Sequence, residues 1–225
     1  MQLTEAMASR FSARAFIDAP VSQETVYKIL DLARQCPSGS NMQPWKVHAV
    51  TGEVRKELIA RAMSFAEENP IGAGPKGNPI HPPSFIQPYK DRRFECGMRL
   101  YDALGIDRKD RPARQAQLMR NFYFFDAPVG LMFSLHKSLF PAQIGDLGIF
   151  MGNVMLAARE FGLHTCAQGF WQDVSPAVHD VLNISDDYLV YNGIALGEID
   201  PDSPANCLDM GREAVDDFTE FFGFD

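Results

Sequence analysis

Apolar positions recur along this chain in two periods, one helical and one extended, and their order lays out the architecture. Ser22 can accept a hydrogen bond at a helix start, Glu24 suits the first turn, and Val26, Ile29, Leu30 and Ala33 fall on one face, which predicts a surface helix packed on a sheet. Val47 to Thr51 is a short run rich in β-formers, ended by Gly52, after which Val54, Leu58, Ala62 and Met63 mark a second amphipathic helix. From Asn69 to Pro88 the chain carries six prolines and three glycines, a composition that excludes regular helix or central strand and predicts a long loop. Helical patterning resumes at 89–104, and Asp110 with Pro112 in the first turn starts another helix reaching about Asn121.

The second half is more apolar. Val129 to Leu135 reads as a buried strand, and Gln143 to Phe161 as a hydrophobic helix with Ile144, Leu147, Met151, Val154, Ala158 and Phe161 on one stripe. Gly145, Gly148 and Gly152 form a second stripe beside it. Glycine costs a helix about 1 kcal/mol relative to alanine, so three at helical spacing imply close approach of another backbone, from this chain or from a second copy. Gly162 stops that helix, His164 to Phe170 returns as a strand, Ser175-Pro176 opens a short helix, and Leu189 to Leu196 is a last core strand. Phe218, Phe221, Phe222 and Phe224 make the tail too apolar to stand free, so it must dock on something.

Composition narrows the function classes. With 225 residues, 46% hydrophobic, 22% charged and a formal net charge of -8, the chain reads as one globular domain over 1–225 without the clustered cations that nucleic-acid binding requires. No apolar stretch reaches the roughly 18 residues of a membrane span, and the N-terminus has no leader pattern, which predicts a cytoplasmic location. Cys36, Cys96, Cys166 and Cys207 are too dispersed for a redox pair or zinc knuckle and read as reduced thiols. The five histidines show no metal-ligand spacing, and no nucleophile elbow or Walker-type loop is present. Gly72-Ala73-Gly74-Pro75-Lys76-Gly77 satisfies a dinucleotide-binding glycine pattern, but the surrounding prolines deny it the strand and helix that make the pattern work. An enzyme with no evident nucleophile, base cluster or metal commonly borrows its reactivity from an organic cofactor.

Two segments describe a place to hold one. Arg10 and Arg14 flank Ser12 at alternate positions, so two guanidinium forks and a hydroxyl can converge on a phosphate. Pro37, Ser38, Gly39, Asn41, Gln43, Pro44 and Trp45 then form a non-helical polar loop with room for close approach of a ligand. Read singly, each has a plain alternative: surface arginines tied to carboxylates, and a helix-to-strand connection.

In this order the residues resemble the nitroreductase family, whose members open with Arg-x-Ser-x-Arg, a helix, then Pro-Ser-x-x-Asn-x-Gln-Pro-Trp and a strand. Gly162 to Thr165, Asn192 to Gly197, and Asn206 with Arg212 look like later landmarks of the same family, so the resemblance spans nearly the whole chain, weakest over 69–121. It implies an α+β nitroreductase-like fold, a central mostly antiparallel sheet flanked by helices, in an intertwined homodimer. It implies FMN as cofactor and NADH or NADPH as reductant. Arg10, Ser12 and Arg212 would bind the FMN phosphate, Phe11 would join the cofactor contacts, Arg14 would reach toward the ring, and Pro37, Ser38, Gly39 and Asn41 would come from the other subunit. Gln168 and Gly169 fall where the family directs a donor at flavin N5, with Gly169 offering its backbone N–H. The activity implied is ping-pong reduction of nitroaromatic or other electron-poor small molecules by hydride transfer through N5. A reductive dehalogenase, an ene-reductase, a flavin-destroying enzyme and a non-catalytic flavin-binding dimer share the scaffold. Within the variable 69–121 insertion, a candidate substrate lid, Phe85, Tyr89, Arg92 and Arg93 are candidates for shaping the substrate side.

Overall fold

A computed structural model of the chain describes residues 1–72, 74 and 79–224. Its helices and strands follow in the order α1 (Leu3–Ser9), α2 (Gln23–Ala33), β1 (Lys46–Val50), α3 (Gly52–Glu68), α4 (Tyr89–Ala103), α5 (Arg111–Met119), β2 (Val129–His136), α6 (Ile144–Glu160), β3 (His164–Gln168), α7 (Ser175–Leu182) and β4 (Tyr188–Gly197). The expected caps form: Ser22 Oγ accepts from Thr25 N at 3.0 Å, and Asp110 Oδ1 accepts from Ala113 N at 2.9 Å. The first helix, α1, carries no strong periodic signal and was not expected. Gly72 and Gly74 of the rejected glycine pattern are described, whereas Ala73 and residues 75–77 lie outside the described residues.

The four strands pair in the order β1-β2-β4-β3, antiparallel throughout. Helices cover both faces. Val129, Leu131, Phe133 and Leu135 of β2 join the apolar layer of α2 and α6, while Met132 joins the opposite layer with Leu58 and Ala62 of α3 and Val178 of α7. A strand buried on both sides can be apolar at nearly every position, which is why β2 reads as a hydrophobic run with Ser134 as its one polar residue before His136.

Two irregularities shape the surface around β3. The strand stops at Gln168, two residues earlier than its apolar pattern suggests, because Gly169–Gln172 turn into a 3-10 helix that buries Trp171. Trp171 stacks on Phe124 at 4.5 Å and meets Phe122 edge-on at 5.6 Å. It also lies so close to β4 that a β-carbon at Gly193 would collide with its indole, so glycine is required there by contact rather than by backbone angle. The segment around Ser12 lies along β3, with a parallel bridge between Ser12 and Thr165 and Ala13 N donating to Thr165 O at 3.0 Å.

Among the described residues no helix is long and apolar enough to cross a membrane. All four cysteines are free thiols.

Candidate active site

The extended backbone beside β3 explains why alternate residues of the N-terminal segment act together. Successive side chains of an extended chain take opposite sides, so Arg10, Ser12 and Arg14 can act together while Ala13 turns to the core; Phe11 also borders the cavity that they line. Ala13 is fully buried, and Phe11 packs on the His164 ring at 4.9 Å. Arg10, Ser12 and Arg14 line a cavity of about 750 Å³, whose far wall is the chain from Ala205 to Arg212. Opposite ends of the polypeptide therefore meet at one site.

Asn206 holds the two ends in register. Its Oδ1 accepts from Arg14 N at 2.8 Å, and its Nδ2 donates to Ala15 O and Asp200 O, both at 2.8 Å. Beyond it, Gly211 takes a left-handed conformation (φ +62°) with its N–H given to Asp209 Oδ1 at 2.9 Å, and Arg99 Nη1 donates to Asp209 O at 2.6 Å. That turn delivers Arg212 to the cavity wall. Among the described residues none of Arg10, Arg14 and Arg212 is in an ion pair; Arg14 Nη1 donates to Ser12 O and Arg212 Nη1 to Gly211 O. Three guanidinium groups lining one cavity, none of them in an ion pair among the described residues, suit a compact dianion.

Arg14 also borders a second cavity, of about 290 Å³, walled by Cys166, Gln168, Gly169 and Phe170 on the β3 side and by Tyr101 and Leu118 on the α4–α5 side. Gln168 is nearly fully buried beside it. Its side chain is committed to the interior, Nε2 donating to Asn121 O at 2.6 Å and Oε1 accepting from Trp171 Nε1 at 3.3 Å, while its own N–H goes to Asn192 Oδ1 at 2.9 Å. Gln168 thus fixes the turn that presents Gly169. Burial pushes the Cys166 thiol up to about 11, against the pull of the Arg14 cation, so this sulfur stays protonated and inert. Burial, followed by the Arg159 cation, pushes His164 down to about 4 and keeps the imidazole neutral.

The Pro37–Asn41 loop does not line either cavity in this chain. Ser40, Asn41 and Gln43 adopt positive φ, stabilised by Ser38 Oγ accepting from Gln43 N at 3.0 Å and Asp146 Oδ2 accepting from Gly39 N at 3.0 Å. Trp45 stacks on Phe150 of α6 at 4.6 Å and ties the loop to that helix.

The substrate-side candidates separate. Phe85 carries the Arg93 guanidinium at 4.8 Å and packs against His81 at 5.7 Å, next to the second cavity. Arg92, over Tyr89 at 5.7 Å, pairs with Glu213 at 3.0 Å and so faces the tail. Sequence reasoning missed Tyr101, Leu118 and His81 as cavity walls; the only available signal was the helical spacing of Leu118 with Arg111 and Arg114.

Residues 7–198 match the model of the Nitroreductase family. The chain belongs to that family. Among its nitroreductase relatives, the nitrobenzene nitroreductase of Ectopseudomonas oleovorans is 38% identical over 219 residues, covering 97% of this chain and 96% of that protein. The 4-nitrobenzoate reductase of Pseudomonas putida is 36% identical over 219 residues, covering 97% and 95%. Of solved nitroreductases, the FMN and NADPH-dependent nitroreductase NfnB from sphigopyxis sp. strain HMH superposes with a TM-score of 0.95 at 34% identity, covering all of both chains. The FMN-dependent nitroreductase NfnB from Mycobacterium smegmatis in complex with NADPH gives 0.89 at 29%, covering 97% of each.

Proposed function

We propose that this chain is an FMN-dependent nitroreductase that oxidises NADH or NADPH and reduces nitroaromatic compounds. The carrying observation is the arginine cluster, free of ion pairs among the described residues: Arg10, Arg14 and Arg212, with Ser12 between, suit a phosphate monoester, and the adjoining cavity along Gly169 suits a flat ring. The donor set fits FMN in both charge and division of the space. When bound, FMN supplies the acceptor and donor of hydride at N5, chemistry that no side chain of this site can provide.

The chain's own residues then have three tasks. Arg10, Ser12 and Arg212 bind the phosphate, assisted by Phe11, which packs the segment onto His164. Arg14, bordering both cavities, places a fixed positive charge near the ring, where negative charge accumulates on reduction. Gly169 offers its N–H to the ring edge, and the Gln168–Asn121–Trp171 hydrogen bonds keep that turn rigid. Ile80 and His81 from the long loop close the second cavity, and Asp173 fastens the loop by accepting from Gly72 N and Gly74 N, both at 2.6 Å. The 69–121 segment thereby serves as the substrate-side cover.

The working unit in this reading is a homodimer. A β-carbon at Gly145, Gly148 or Gly152 would meet nothing within 4 Å in this chain, Ile149 on the same helix is 46% exposed, and Phe222 in the tail is 79% exposed. These surfaces suit the partner subunit, whose Pro37–Asn41 loop would complete the flavin site. The test is the absorption spectrum and solution mass of purified protein, with FMN uptake by Arg10→Ala and Arg212→Ala. Yellow protein at twice the monomer mass, with uptake lost in both variants, supports the reading; native protein that stays colourless in excess FMN refutes it.

A further inference from the structure

A third cavity, of about 440 Å³, adjoins the ring cavity and shares His81, Tyr101, Leu118 and Phe170 with it. Its other walls include Arg93 from α4 and Arg111, Arg114 and Gln115 from α5. Positions 111, 114, 115 and 118 recur at the spacing of one helical face, so α5 turns a cationic strip with one apolar residue toward this space.

Two features separate these arginines from an ordinary solvated surface. Among the described residues, none of Arg93, Arg111 and Arg114 is in an ion pair, although the chain carries more acid than base. Nearby carboxylates are used on backbone N–H groups instead: Asp110 on Ala113, Asp107 on Lys109, and Asp173 on Gly72 and Gly74. Arg114 Nε is buried with no hydrogen-bond partner among the described residues, while its guanidinium lies over the Tyr101 ring at 5.2 Å and Nη1 donates to Arg108 O at 3.1 Å. A buried guanidinium N–H left without an acceptor is costly unless something brings one. Arg93, held over Phe85, is pre-oriented in the same way.

We propose that Arg93, Arg111 and Arg114 form an oxyanion subsite beside the ring cavity, which grips a phosphate or carboxylate group carried by one of the two reactants. The subsite extends the proposed nitroreductase reading: the cavity along Gly169 holds the reacting ring, and the arginines hold the charged end of the same molecule. The anion has three possible sources, the diphosphate of NADH and NADPH, the 2′-phosphate of NADPH alone, or the ring carboxylate of an acidic nitroaromatic. Their shared chemistry is a pair of anionic oxygens that can accept two guanidinium N–H groups at once.

The test compares native enzyme with Arg111→Gln, Arg114→Gln and the double variant, with Arg114→Lys as the charge-keeping control. KM values are measured for NADH, NADPH, 4-nitrobenzoate and nitrobenzene, the last being uncharged. Direct titrations with adenosine 2′,5′-bisphosphate and with benzoate supply a readout independent of turnover. Loss of one charge-assisted pair should raise the affected KM roughly tenfold, leaving that of nitrobenzene unchanged. A rise shared by NADH and NADPH assigns the diphosphate, a rise for NADPH alone the 2′-phosphate, and a rise for 4-nitrobenzoate the carboxylate. If the folded double variant leaves every KM and both titrations within about twofold of native, the subsite is refuted. Native protein that neither takes up FMN nor consumes NAD(P)H would refute the nitroreductase reading instead, and the two titrations on that protein would still decide the subsite.

Discussion

Replacing Asn206 with alanine removes a side chain that fastens the two ends of the polypeptide across the proposed phosphate cavity. Three hydrogen bonds are lost together, to Arg14 N, Ala15 O and Asp200 O, each 2.8 Å long and partly buried. Each contributes about 1 kcal/mol net, and stranding partners that water reaches poorly adds to the loss, so the variant should be destabilised by about 3 kcal/mol. For a chain of this size that is roughly 6–12 °C in Tm. The functional effect is separate. Arg14 keeps its side chain but loses its register, and the Leu208–Arg212 stretch loses its anchor, so FMN affinity should fall roughly tenfold, as for a misplaced charge-assisted bond. Asn206→Asp retains an acceptor for Arg14 N but has no donor for either carbonyl, and should fall between native and alanine in Tm. Differential scanning calorimetry and fluorescence titration with FMN measure both. A native Tm would refute the energetic argument; a lowered Tm with native FMN affinity would show that this strap does not set the phosphate site.

Gly193→Ala should cost about 3 kcal/mol by chemical denaturation, because the new methyl group collides with the fully buried Trp171 indole; a variant as stable as native would refute the close packing. His164 gives a pH signature: its folded pKa of about 4 lies below the ordinary 6.5, so the unfolded chain takes the proton first on acidification. Its contribution is present above pH 6.5 and is lost as pH falls toward 4, on the order of 2 kcal/mol, and His164→Phe should flatten that part of the stability profile in denaturation series. Gly148→Trp has room within the chain and should fold, yet run at monomer mass by light scattering; a dimer of unchanged affinity would remove α6 from the proposed interface. Loosening the loop clamp with Asp173→Ala should speed proteolysis near residue 72 and raise KM for the acceptor, and unchanged values would deny the loop its covering role.

The elements that could be read from the chain are those whose burial is periodic. Helices α2, α3 and α6 and strands β2 and β4 each bury a regular set of side chains, and their positions follow the apolar pattern to within a few residues. The α1 helix buries only Ala6, and the Arg120–Asp126 turn depends on left-handed backbone at Phe124, Phe125 and Asp126, which no propensity announces. The end of β3 escapes the pattern for a related reason. Phe170 and Trp171 look like strand residues, yet Trp171 is pulled into the core by Gln168 and by the space that Gly193 leaves.

The same division runs through the site. Arg10, Ser12 and Arg14 can be read together because extended backbone places alternate residues on one side, a local rule. Arg212 is reached only through resemblance, since its approach depends on Asn206 and on the turn at Gly211, contacts that span nearly the whole chain. The arginines of α5 show only a shared helical spacing in the sequence, because, taken one at a time, each looks like a solvated charge. What distinguishes them is collective: neighbouring carboxylates are spent on backbone N–H groups, and a buried guanidinium N–H is left over. A cation becomes a binding group when its natural counter-ions are engaged elsewhere, and that condition is set by three-dimensional neighbours rather than by the residues beside it in sequence.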